Sequence, residues 1–110
     1  MATLAHERCE PCHGGTPRLN RDDASILRGE LNGNWAVEGV NVLTRTVRFK
    51  SFSAAFARAT QVAMLAEAEQ HHPDMSVGWR YLTIRLTTHA INGLSRNDFI
   101  MAAKIDDLDG

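Results

Sequence analysis

Between Glu67 and Asp98 the chain sets out Glu67, His71-His72-Pro73, Trp79, His89 and Asp98 at spacings that neither a helical nor a strand period generates. Three of its five histidines fall in this stretch. Imidazole titrates near pH 6.5, so it can both give and take a proton around neutrality. Concentrating three imidazoles beside a rigid proline points to proton-transfer chemistry.

Glu67 and His71 are four residues apart and share a face if both are helical, so the carboxylate is expected to accept a hydrogen bond from the His71 ring and fix its orientation. A helix C-terminus at His71 would favour the protonated ring by about 0.3 to 1 kcal/mol. His72, held by Pro73, should project differently, and His89 is expected to meet the helix end across a cleft from the end of a strand. Blander readings compete. Adjacent histidines near a helix end are often solvated capping residues. A metal held by His71, His72 and His89 is disfavoured, because neighbouring residues rarely ligate one ion without strain. Ser95-Arg96-Asn97-Asp98 has the form of a capping box, which by itself accounts for Asp98. Trp79 is more often a packing residue than a platform for a planar heterocycle.

The elements that must position these residues follow from pattern. Asp22 or Asp23 caps a first helix with Ile26, Leu27 and Leu31 on one face, stopped by Asn32-Gly33-Asn34. Trp35 and Val37 begin a strand, 38–41 offers a turn, and 42–50 is rich in Val, Thr and Phe. Ser51 or Ser53 caps a long helix reaching about Gln70, with Phe52, Phe56, Ala59, Val62, Ala63 and Ala66 as its apolar stripe. Pro73 ends it at or just before the histidine pair. Strand character runs from Val77 to His89, with Leu82, Ile84 and Leu86 on one face and 74–78 as a short preceding strand and turn. The capping box opens a final helix through Phe99, Ile100, Ala103 and Ile105. The expected class is α+β, in the order α-β-β-α-β-β-α: a four-stranded antiparallel sheet with helices packed on one face. Residues 1–20 read as a loosely ordered extension and 21–110 as the single domain.

With that arrangement, an acidic residue, three positions, His-His-Pro, five positions, an aromatic, nine positions, His and a downstream Asp resembles the pattern of the pterin-4a-carbinolamine dehydratase family. Glu67, His71-His72-Pro73, Trp79, His89 and Asp98 meet it, with Phe49-Lys50-Ser51-Phe52 before the long helix and Thr87-Thr88-His89 leading to Gly93-Leu94-Ser95. The resemblance spans about Arg21 to Ile105. It implies a lyase that dehydrates a 4a-hydroxytetrahydropterin to the quinonoid dihydropterin, in recycling the tetrahydropterin (tetrahydrobiopterin-type) cofactor of aromatic amino acid hydroxylases. It implies catalytic His71, His72 and His89, with Glu67, Pro73 and Thr88 joining the histidines in binding the pterin, and Trp79 and Asp98 in support. It also implies that no metal or other cofactor is needed, that the chain assembles as a homodimer or homotetramer, and that an aromatic amino acid hydroxylase is a partner. The alternative is a non-enzymatic dimerisation or assembly cofactor on the same scaffold.

The 110 residues, 44% apolar, suffice for one core. Twelve basic against 13 acidic residues leave no positive surplus for a phosphate backbone, so direct nucleic-acid binding is not expected. No apolar run spans a bilayer and no secretory leader is visible, so the expected location is cytoplasmic and off the membrane. Cys9 and Cys12 are too few for a disulfide framework. Cys9-Glu10-Pro11-Cys12-His13 has the form of a haem-attachment motif, and His6, Cys9, Cys12 and His13 could be zinc ligands. A reduced, flexible arm is the favoured reading, because export signals and the second half of a finger are missing.

Overall fold

The computed structural model describes residues 4–11 and 13–109. A 3-10 turn at Leu4–His6 precedes α1 (Arg21–Arg28), β1 (Ala36–Glu38), β2 (Val42–Arg48), α2 (Phe52–Glu69), β3 (Asp74–Gly78) and β4 (Tyr81–Leu86). A second 3-10 turn at His89–Ile91 leads into α3 (Arg96–Asp107). The sheet is antiparallel, with strand order β1-β2-β4-β3. This is the expected α+β arrangement.

Register explains the two faces. Leu43 lies opposite Leu86 and Val47 opposite Leu82, while Met75 faces Ile84 across β3 and β4. These alternate residues line the side covered by the helices, and Leu43, Leu82, Ile84 and Leu86 have no solvent exposure. Each such aliphatic side chain stabilises the fold by about 1.5 to 3 kcal/mol relative to its exposed state. The open face carries Thr46 and Thr83, whose hydroxyls meet at 2.9 Å, and the Arg85–Glu38 ion pair.

α1 is capped by Asn20, whose side chain accepts from the Asp23 N–H, rather than by either aspartate. It ends at Gly29, before the expected stop at 32–34, so Leu31 lies outside it, and Ala24 with Leu27 forms its buried side. Ile26 is 68% exposed. In α2, capped as expected by Ser51, the buried stripe is Ala55, Ala59, Val62, Ala66 and Glu69, about 100° per residue being enough to rotate Phe52, Phe56 and Ala63 off the core. The stacked Phe52 and Phe56 rings are exposed. Small alanines let α2 lie close on the sheet, which larger side chains would prevent.

The expected strand from Val77 to His89 is instead two strands joined at Trp79-Arg80. Arg80 takes a left-handed φ of 70°, and its guanidinium stacks on Trp79. After β4, a bridge between Thr88 and Gly93 closes a short loop, so His89 begins a 3-10 turn rather than ending a strand. Asn92 at φ 50° completes the reversal.

Residues 4–10, part of the segment expected to be a loose arm, are packed. Leu4 is fully buried and Ala5 nearly so, both in the main core beside α3. That second layer is why α3 is buried on almost every side, from Asn97 to Ala103 and at Ile105. Pattern carries little sign of this, because two buried residues in a short segment make no period.

Candidate active site

His71 owes its position to the way α2 ends. Gln70 adopts a left-handed conformation at φ 55°, and the His71 N–H reaches back to the Ala66 carbonyl at 3.2 Å, the six-to-one bond of a Schellman ending. A non-glycine residue in this region costs roughly 1 to 2 kcal/mol. Pro73 then blocks any return to helix, and the chain enters β3 at Asp74.

The His71 ring turns inward. Its Nε2 lies 2.6 Å from Asp98 Oδ1, and both side chains are buried. The expected partner, Glu67, instead holds the exposed His72 through Oε2 to Nε2 at 2.5 Å. The left-handed residue after Glu69 breaks the helical i, i+4 geometry that would have faced Glu67 toward His71.

Asp98 is fully buried in the first turn of α3 and belongs to the capping box with Ser95. Its Oδ2 accepts from the Thr88 hydroxyl at 2.8 Å and from the Ser95 N–H at 3.0 Å. The Thr88 hydroxyl also lies 2.8 Å from Ser95 Oγ. Proton counting orders the chain: Thr88 has one hydroxyl hydrogen and gives it to Asp98, so Ser95 Oγ donates to Thr88. An ionised Asp98 has only acceptors to offer, so His71 donates from Nε2 and keeps Nδ1 as its basic nitrogen when neutral. The positive end of the α3 dipole further favours a carboxylate here.

His71, His72, Thr88 and His89 border one cleft of about 240 Å³, together with Gln70, Thr87 and Ala90. The volume falls below the roughly 300 to 1,000 Å³ usual for larger ligands and suits a small planar one. Larger clefts of about 430 and 340 Å³ lie between α1 and the β1–β2 turn and between the N-terminal segment and α3. Neither brings histidines of the 71–89 set together, so the smaller cleft is the candidate on chemical grounds. Thr87 fixes its rim by donating to the Asn41 carbonyl at 2.7 Å.

Sequence spacing therefore assembled four of the residues at one cleft. Asp98 stands behind His71 rather than in the cleft, Glu67 reaches it only through His72, and Pro73 shapes the turn without lining it. Trp79 does not border this cleft. It is 74% exposed at the far β3–β4 turn, beside Arg48, Phe49 and Arg80. Reasoning from sequence missed Gln70, whose signal is only its place before a His-His-Pro run, and the hydrogen-bonding work of Ser95. Cys12 lies outside the described residues, so the Cys9–Cys12 haem and zinc readings do too.

The family model described as Pterin 4 alpha carbinolamine dehydratase matches residues 17–108. The chain belongs to that family. Membership places it among the hydro-lyases, enzymes that eliminate water from a substrate. A relative from Nitrosomonas eutropha, provisionally named pterin-4-alpha-carbinolamine dehydratase, is 44% identical over 96% of this chain and 93% of its own. A second with the same provisional name, from Rickettsia canadensis, is 39% identical over 96% of this chain and 97% of its own. A crystal structure of a transcriptional coactivator/pterin dehydratase from Brucella melitensis has a TM-score of 0.78 at 33% identity, covering 86% of this chain and 100% of that one. Among the described residues, no helix is long and apolar enough to cross a membrane.

Proposed function

We propose that this chain dehydrates a 4a-hydroxytetrahydropterin to the quinonoid dihydropterin and water by histidine acid/base catalysis, as one step in recycling a tetrahydropterin cofactor. The observation that carries the reading is the convergence of His71, His72 and His89 on one small cleft, with the buried Asp98 behind His71. Family membership supports the pterin substrate.

Loss of water from C4a needs a proton on the departing oxygen and the removal of a proton from a ring nitrogen, so that the double bond of the quinonoid product can form. Atoms balance with one proton given and one taken, and an acid/base pair can therefore turn over without net change. His71 is the better candidate to hold the proton between steps, because Asp98 lies 2.6 Å from its Nε2 and orients the ring. His89, exposed on the opposite lip, is the second proton carrier, and His72 with Glu67 orients the pterin edge. Thr88 contributes mainly through its hydroxyl to Asp98. The wider reading takes the chain as a cytoplasmic homodimer or homotetramer serving an aromatic amino acid hydroxylase.

Stopped-flow loss of carbinolamine absorbance tests the assignment. His71→Ala and His89→Ala should each slow the step by about 10² to 10⁴. Equal rates in wild type and both variants would overturn it. The Brucella relative's coactivator description favours a second reading, a binding role on the same scaffold. A stoichiometric protein partner in the absence of any pterin turnover would promote that role.

A further inference from the structure

Residues 4–10 touch the protein at a telling place. The first part is an anchor: Leu4 and Ala5 enter the core, and Lys104 of α3 donates to the Ala5 carbonyl at 2.7 Å. Beyond the anchor, contacts of residues 7–10 reach two short stretches. Glu69, the last residue of α2, accepts from the Cys9 N–H at 2.9 Å and pairs with Arg8 at 3.0 Å. Glu7 takes Arg96 through two bonds, 2.8 and 2.6 Å. Glu10 and Asn97 exchange two more, the Glu10 N–H donating to Asn97 Oδ1 at 3.1 Å and the Asn97 amide to the Glu10 carbonyl at 2.5 Å.

These stretches are the two that carry the His71–Asp98 pair. Glu69 precedes His71 by two residues, across the strained Gln70, and Asn97 is the neighbour of Asp98. His71 follows the C-terminus of α2 and Asp98 lies in the first turn of α3, so their 2.6 Å separation depends on how those two helix ends are held together. We propose that the N-terminal strap is a positioning device for the His71–Asp98 pair, acting through the positioning residues Glu69 and Asn97. This deepens, and rests on, the dehydratase reading.

Two features argue for positioning beyond general stability. A carboxylate buried at a helix C-terminus is opposed by both desolvation and the helix dipole. Glu69 has both against it: burial pushes its carboxyl up, yet the Cys9 N–H, the Lys104 charge and Arg8 together hold it below the ordinary carboxylate value. A buried ionised group fixed from several sides sets geometry more sharply than an apolar contact of the same size, because its hydrogen bonds are directional. The second feature is that the Asn97 amide uses both its oxygen and its nitrogen on the backbone of a single strap residue, which fixes the strap's register on α3.

The test uses the full chain carrying Glu69→Ala or Asn97→Ala, with Glu69→Gln as the conservative replacement that keeps an acceptor for Cys9. Neither residue borders the cleft, so a positioning role predicts a fall in kcat of about 10- to 100-fold with little change in KM. The His71 Nε2 proton resonance should broaden or move upfield in NMR spectra of Glu69→Ala and Asn97→Ala, and recover in Glu69→Gln. Unchanged kcat and an unchanged His71 resonance in folded Glu69→Ala and Asn97→Ala would overturn the proposal. Should those variants fail to fold, Arg8→Ala, whose side chain is 74% exposed, removes one strap contact from outside the core and is judged by the same readouts. Should wild type fail to turn over a pterin, the dehydratase reading falls, and the His71 resonance alone decides whether the strap positions the pair.

Discussion

The two ends of α3 use the same residue type to opposite effect. At the N-terminal end, Asp98 is surrounded by an imidazole, a hydroxyl and a backbone N–H, with a cleft beyond the imidazole. At the other end, Asp106 accepts from the Trp35 indole at 2.8 Å and from Arg45 at 2.7 Å, while Asp109, just past the helix, takes Arg45 and Arg58. Guanidinium groups do not lose their protons in proteins, so the far end is a fixed lattice of charge. It also answers the helix dipole, which is unfavourable to a carboxylate there and favourable at Asp98. A carboxylate facing a titratable ring beside solvent can help move a proton; one facing arginines can only hold structure.

Exchanging acid for amide at the first end should give the largest effect. Asp98→Asn keeps the side chain's shape and its capacity to accept at the helix start but removes the carboxylate that faces His71 Nε2. The dehydration rate should fall by about 10² or more, with only a small change in melting temperature, read by stopped flow and thermal unfolding on the same sample. An equal rate would end the contrast on the chemical side.

Arg45→Met attacks the opposite end. Arg45 is buried on the sheet, and its Nε has no hydrogen-bond partner among the described residues, so its hold is incomplete even in the native fold. Removing it leaves Asp106 the Trp35 indole and the Asn32 N–H but no counter-charge from Arg45, and stability measured by denaturant should drop by about 3 kcal/mol. The rate per folded molecule should not change. A parallel loss of rate would mean that the two ends are coupled through the helix.

The smallest effect is one of pH. Burial pushes the Asp109 carboxyl up, but hydrogen bonds and charge from Arg45 and Arg58 outweigh it and hold it below its ordinary value of 3.8. A carboxyl with a depressed folded pKa contributes stability that is complete above the unfolded pKa and is lost as pH falls through the folded one. Asp109→Asn should therefore flatten the acid side of the stability curve below about pH 4. The strap end should keep its own acid sensitivity in that variant, because a hydrogen bond and charge from Arg96 lower Glu7, and Glu69 is lowered as well. Thermal melts across acid pH would separate the two contributions; identical curves for variant and wild type would remove Asp109 from the account.

Much of the frame was legible. Leu82, Ile84 and Leu86 alternate as a half-buried strand must, and Ser51 and Pro73 bracket α2 because one caps a helix and the other cannot continue it. Errors arose where a local rule met a tertiary choice. Phe52 and Phe56 fit an apolar period as well as Ala55 and Ala59 do, and only the close approach of α2 to the sheet selects the small residues. Trp79 fits a family spacing, yet the turn at Arg80 carries it to the far end of the hairpin.

By itself the sequence determined which residues could carry the chemistry, the order of the elements and the family, because residue type, period and motif spacing are written along one dimension. Tertiary structure decided the pairings: His71 with Asp98 rather than with Glu67, His72 with Glu67, and a packed strap where a loose arm was expected. Those contacts join residues 27 positions apart at the histidine pair and as many as 99 apart at the strap. Their distances depend on how helix ends, strand register and one left-handed glutamine add up in space, which no local pattern encodes.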